Sequence, residues 1–170
     1  MSVGQRLTQD FAGIKLLGAK VGSSAPPIEA QALDGKTIRL ADQRGKLVYV
    51  DFWATWCAPC VAEMPNVAKA YEKFNADGLV VIGISFDRDA DALRRFVEQR
   101  KIPWPQILAE GAERGPLAQA YGVAGIPATF LIGPDGTVLE RDLRGERLLQ
   151  RVEEEIKKLK AAPQAAMARD

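Results

Sequence analysis

The sequence predicts an α/β domain, a central sheet flanked by helices and preceded by a β-hairpin. Two continuous apolar runs, "KLVYVDFWA" and "LVVIGISFD", are each followed by a segment of helical pattern, which makes a strand-helix-strand unit with a helix after it. An alternating stretch precedes this unit. A strand pair and a long patterned helix follow it.

Element by element, "IEAQALDGKTIRL" alternates around Asp34-Gly35, a pair that tolerates positive φ and favours tight hairpin turns. "KLVYVDFWA" is rich in β-branched and aromatic residues, the mark of a strand buried on both faces, and the helix "CVAEMPNVAKAYEKF" follows. "LVVIGISFD" is the next buried strand; "DADALRRFVEQRK" is helical, with Asp87, Asp89 and Asp91 around its start, where the helix dipole favours negative charge. After "IPWPQIL", read only as a proline-bearing connection, "GPLAQAYGV" is a short helix ended by Gly122. "ATFLIGPDGTVLERDL" is two strands around a Pro-Asp-Gly turn, and "RLLQRVEEEIKKLK" is the closing helix.

A chain of 170 residues with 47% apolar content has the size of one domain and buries an ordinary core. "GSSAPP" is a composition break, which divides the chain into an extension over 1–23, a compact domain over 24–160 and a frayed tail over 161–170. The extension carries Val3, Leu7, Phe11, Ile14 and Leu17 at helical spacing; it reads equally as a short amphipathic helix or as a partly ordered linker left from a removed anchor.

Composition excludes several functions. With 23 basic and 22 acidic residues interspersed, no charged footprint for nucleic acid or an anionic membrane exists. No apolar run reaches the roughly 18 residues of a membrane span. The absence of histidine removes His-dependent nucleophilic catalysis and His-metal sites. Carboxylates, lysines, tyrosines and two cysteines remain.

Those cysteines, Cys57 and Cys60, are the only ones in the chain and stand three positions apart in "DFWATWCAPCVAEMP". On a helix that spacing places β-carbons about 5 to 6 Å apart on one face, so a small change in the first turn closes or opens a disulfide. A zinc tetrad lacks its other ligands, and a staple closing so short a loop would remove little unfolded-chain entropy. Cys57, at the helix amino end, faces free N–H groups and the positive dipole end, which favour its thiolate. Cys60, a turn deeper, stays protonated longer. The outer sulfur would attack a partner's disulfide and the inner would resolve the mixed disulfide. Between them Ala58 adds neither charge nor hydrogen bond, and Pro59 fits the first helical turn; Pro65 deletes one bond inside the helix. Asp51 falls in the middle of an apolar strand, where desolvation raises its pKa and poises it to exchange protons with Cys60.

"VDFWATWCAPC" resembles the active-site segment of the thioredoxin superfamily, and "WCAPCVAEMP" resembles the TlpA/ResA-type thiol-disulfide oxidoreductases within it. The hairpin, the additional "DADALRRFVEQRK" helix and "GVAGIPATFLIGPDG" extend the similarity over residues 24–160. The resemblance implies a thioredoxin-like fold with a mixed sheet and an extra inserted helix. It also implies a cis-proline at Pro127 facing the cysteines, with the Ile126 backbone free to pair with an extended substrate. Trp56, Ala58, Pro59, Ile126 and Pro127 would form the docking surface, with Trp53 in the core. Asp51 matches the thioredoxin aspartate, although many TlpA/ResA-type members differ there, and the lysine that accompanies it in many thioredoxins is replaced by Gly83. Glu63 reads equally as a residue tuning the cysteines or as a solvated helix position.

The implied function is dithiol-disulfide exchange on protein substrates, in the reducing direction, with no cofactor beyond the Cys57-Cys60 pair and no metal. Cytochrome c maturation or periplasmic redox homeostasis would be its setting. A monomer, an upstream electron-donor protein and a periplasmic or membrane-tethered location complete the expectation, with the cytoplasm as the alternative. The competing readings are a thiol peroxidase, whose Pro-x-x-x-Thr-x-x-Cys pattern the sequence lacks, and a Cu(I) chaperone, suited to two soft thiolates but without a histidine.

Overall fold

A five-stranded mixed sheet in the order β5-β4-β3-β6-β7 forms the centre of the computed structural model, which describes residues 18–167, with side chains described to 162. The apolar runs become β3 (Leu47–Trp53) and β4 (Leu79–Ser85), paired in parallel from Leu47↔Leu79 to Trp53↔Ser85. Every residue of β3 is buried, as expected of a central strand with helices on both faces. β5 (Gln106–Leu108) lies parallel to β4, and β6 (Ala128–Ile132) runs antiparallel to β3 and to β7 (Val138–Arg141). The hairpin of β1 (Glu29–Gln31) and β2 (Thr37–Arg39) is a separate two-stranded sheet turned at Gly35, whose φ is +84°.

Among the described residues, four α-helices complete the layers: α1 (Ala58–Phe74), α2 (Ala90–Gln99), α3 (Pro116–Tyr121) and α4 (Gly145–Met167). Along β3 successive side chains alternate between faces. Phe52 meets Phe86, Tyr121 and Phe130 at centroid distances of 6.0, 5.4 and 5.9 Å on the face covered by α3. Trp53 turns the other way onto Phe96 of α2, at 5.5 Å, on the face shared with α1 and α4. The thioredoxin-like architecture, hairpin and additional helix match the expectation.

Three details differ from the sequence reading. β5 is a strand that "IPWPQIL" conceals: it is three residues long and follows two prolines, too short to display a period. Most of the expected amino-terminal helix lies outside the described residues, but the last part of the 1–23 extension packs onto the domain. Ala19 is fully buried, and Gly22 N–H donates to Val138 O at 2.8 Å while Val138 N–H donates to Ser23 O at 2.9 Å, so residues 22–25 line the β7 edge. Backbone bonding, invisible in composition, overrides the break at "GSSAPP". At the other end, α4 continues to Met167 through residues assigned to a frayed tail.

Candidate active site

Cys57 is the N-cap of α1 rather than a helical residue: its φ and ψ of −91° and 101° are extended, and its Sγ accepts the Cys60 N–H at 3.4 Å. Leaving the helix at Cys57 brings the two α-carbons to 5.3 Å, and the sulfurs are joined in a disulfide. The helical spacing assumed from sequence is thereby corrected by one residue. An N–H aimed at this sulfur, at the positive end of α1, stabilises a thiolate there after reduction. Pro59 stands in the first turn and, with Ala58, is exposed. The two sulfurs differ less in access than their sequence positions suggest. Cys57 is 6% and Cys60 3% exposed, because Cys57 also sits against the core.

Trp56 presents the large exposed surface of the site, at 66% exposure, whereas Trp53 is fully buried. Trp56 and Ile126 flank an open groove of about 760 Å³ that also takes in Phe86, Asp87 and Ala124. The Ile126-Pro127 peptide is cis, Ile126 and Pro127 are half-buried, and both precede β6 without entering its ladder. Arg144, just ahead of α4, donates from Nη2 to the Pro127 carbonyl at 3.1 Å.

Asp51 lies inside β3 with Gly83 and Thr129 as its lateral partners, and only 5% of it is exposed. Burial, reinforced by the Glu63 carboxylate and opposed by the Arg144 cation, pushes its pKa up to about 7. Glu63 is half-buried on α1, where its Oε1 accepts the Gly145 N–H and Asn66 Nδ2, so it ties α1 to the start of α4 as well as facing Asp51.

Sequence reasoning missed Asp87. Assigned to a helix start, it instead turns inward: its carboxylate accepts Thr55 N–H at 3.0 Å, the Thr55 hydroxyl at 2.6 Å and the Ser85 hydroxyl at 2.6 Å. Asp89 is the true cap, accepting N–H from Asp91 and Ala92. Arg144 and Gln106 were also missed. Gln106 Oε1 accepts from Trp53 Nε1 at 2.8 Å across the sheet, and only an unusual polar residue between apolar ones hinted at it. Among the described residues, no group of three or more His, Cys, Asp or Glu side chains is placed to hold a metal ion.

Comparison with known proteins agrees with this geometry. Residues 21–141 match the AhpC/TSA family. The thiol-disulfide oxidoreductase ResA of Bacillus thuringiensis subsp. konkukian is 36% identical over 140 residues, covering 82% of this chain and 79% of its own. ResA of Bacillus anthracis is 35% identical over the same shares. Among solved structures, the thioredoxin domain of a thiol-disulfide oxidoreductase from Bacteroides vulgatus superposes with a TM-score of 0.76 at 32% identity, covering 82% of this chain and 99% of that one. A thiol:disulfide interchange protein from Bacteroides sp. gives 0.75 at 32% identity, with 82% and 91% covered. A redox-capable Cys57-Cys60 pair on a thioredoxin-like sheet, in a chain so similar to these enzymes, places this protein in the AhpC/TSA family as a thiol-disulfide oxidoreductase.

Proposed function

We propose that the protein reduces disulfides of protein substrates, with Cys57 as nucleophile, Cys60 as resolving thiol and Asp51 as the group that takes the Cys60 proton. The observation that carries this reading is the Cys57 sulfur at the N-cap of α1, accepting the Cys60 N–H, in a chain whose buried Asp51 has a pKa near neutrality. A Cys57 thiolate attacks the substrate disulfide, and a mixed disulfide forms as one substrate thiolate leaves. Cys60 then attacks the Cys57 sulfur and releases the second substrate thiol.

The groove beside Trp56 and Ile126 supports docking of an extended peptide around its disulfide, with the backbone at Ile126 offering strand-like pairing; the exposed Ala58 and Pro59 and the half-buried Pro127 would extend that docking surface beyond the groove. Glu63 raises the proton affinity of Asp51. The electron donor is a further dithiol protein, and the disulfide pair itself is the redox group. Similarity to the ResA proteins supports a role outside the cytoplasmic membrane, in maintaining thiols such as those of apocytochrome c. No helix among the described residues is long and apolar enough to cross a membrane.

The thiol-peroxidase reading draws on the AhpC/TSA match but gains nothing from the site, where a vicinal disulfide partner lies within one turn. The test is trapping: the reduced Cys60→Ser protein should accumulate a mixed disulfide through Cys57 when offered an oxidised protein substrate, while Cys57→Ser accumulates none. A rapid peroxide-driven burst of Cys57 sulfenic acid, faster than disulfide reduction, would replace this reading with the peroxidase one.

A further inference from the structure

Among the described residues, three buried side-chain polar atoms lack a hydrogen-bond partner: Trp104 Nε1, Gln106 Nε2 and Thr129 Oγ1. The last two belong to a single row across the sheet. The ladders pair Thr129 with Asp51, Asp51 with Gly83, and Gly83 with Gln106. Residues so paired share one face, here the face beneath α1.

Gly83 leaves a gap in that row, and Gln106 fills it. Its carboxamide lies so low over Gly83 that a β-carbon there would stand 2.0 Å from Oε1 and 2.6 Å from Nε2. Trp53 Nε1 fixes Oε1, which leaves Nε2 as the free end of an amide spanning the only position between Gln106 and Asp51. Thr129 adjoins Asp51 directly on the other side. A buried donor without an acceptor is costly, and two of them in the row of one buried carboxyl call for a common explanation.

We propose that Thr129 and Gln106 are positioning residues for proton transfer, a pair of neutral donors that receive the Asp51 carboxylate, directly or across one water, once its proton has gone. The inference rests on the reading of Asp51 as the base. In the resolving step the Cys60 S–H proton passes to the Asp51 carboxylate and the Cys60 sulfur attacks Cys57. The Cys57-substrate S–S bond breaks, the Cys57-Cys60 bond forms, and the electron pair leaves on the substrate sulfur. Asp51 must therefore enter the step ionised, which is the expensive state in this interior. Two donors ease that cost while adding no charge, so the carboxyl keeps an affinity for protons close to that of a thiol. The other groups that face it are Glu63 of α1, which opposes ionisation, and Arg144 before α4, which favours it. The Tyr49 phenol shares its strand, is held neutral by burial and lies near the Thr129 hydroxyl, for which it competes with Asp51, although no formed hydrogen bond joins the two; Cys60 lies at the start of α1.

The test uses the full oxidised chain and reads the resting titration. The Asp51 carboxyl-carbon and Gln106 side-chain amide resonances are followed by NMR from about pH 5 to about pH 9. The Gln106 amide should shift with the Asp51 midpoint and lose that shift in Asp51→Asn. Thr129→Val and Gln106→Leu should each raise the midpoint, by roughly one pH unit, and Thr129→Ser, which keeps the hydroxyl, should leave it in place. A Gln106 amide indifferent to pH in the unmodified protein overturns the proposal without any variant having to fold, as do midpoints unmoved in both Thr129→Val and Gln106→Leu. Loss of the base role would show instead as unimpaired turnover in Asp51→Asn, a result that leaves this titration unaffected.

Discussion

Asp87 holds Thr55 twice, accepting its backbone N–H at 3.0 Å and its hydroxyl at 2.6 Å. Thr55 stands two residues before Cys57, so these bonds fasten the turn that carries Cys57 to the end of β4. The Ser85 hydroxyl adds a third bond, and Asp87 N–H returns one to Ser85 Oγ at 2.9 Å. Asp87→Ala strands a buried hydroxyl and the Thr55 N–H, at an expected cost of about 2 to 4 kcal/mol. Thermal unfolding should show a melting temperature roughly 5 to 15 °C lower. Asp87→Asn, which retains one acceptor, should lose less. A melting temperature unchanged in Asp87→Ala would mean that the turn is held by something else.

Asp51 makes the stability of the protein depend on pH in a direction opposite to that of most carboxyls. Its pKa is about 7 in the fold and 3.8 as the reference for an unfolded chain. Between those values the native state holds a proton that the unfolded state does not, so stability falls as pH rises from about 4 through about 7 and then levels. The full difference is on the order of 4 kcal/mol, an upper bound for a site that can relax or admit water. Urea unfolding of the oxidised form should therefore give lower stability at pH 8 than at pH 5, and Asp51→Asn should abolish most of that difference. An identical pH slope in the variant would show that Asp51 titrates normally.

Arg144 joins the cis-Pro127 segment to the same carboxyl. Its guanidinium donates to Pro127 O at 3.1 Å and lowers the proton affinity of Asp51, yet it is exposed, so water and salt screen the second effect. Arg144→Met should raise the Asp51 midpoint by less than about one pH unit at low salt and by little at high salt. KM for a protein disulfide should rise several-fold as the Pro127 carbonyl loses its clamp, with kcat less affected. A midpoint shift insensitive to salt would point to rearrangement of the loop rather than to charge.

The sequence disclosed those parts of the molecule whose physics is local. Continuous apolar runs mark β3 and β4, because strands covered on both faces need no polar side, and Cys57-Ala58-Pro59-Cys60 marks the chemistry, because helix-terminal thiols require only neighbours in the chain. Asp51 was legible as a polar residue inside an apolar strand. Asp87, Arg144 and Gln106 were not, since each acts on a residue 17 to 53 positions away through a contact that only tertiary packing creates. β5 escaped for a related reason. Its identity as a strand comes from pairing with β4 rather than from its three residues.

Gly83 and Gln106 supply the sharpest test of that long-range dependence. A glycine inside a buried strand normally weakens it, yet here the missing β-carbon makes room for the Gln106 carboxamide, which a methyl would meet at 2.0 Å. Gly83→Ala must displace a buried amide and break its bond from Trp53 Nε1, which should outweigh any gain in strand propensity and cost about 2 to 4 kcal/mol. Gln106→Ala opens a cavity and strands the same indole N–H, at a similar cost. Combined, the two changes remove the clash, and the new methyl partly fills the space the amide vacates. The double variant should therefore be more stable than the sum of the single losses by at least roughly 1 kcal/mol in a double-mutant cycle measured by denaturant unfolding. Simple additivity would mean that Gln106 does not occupy the place of the Gly83 side chain.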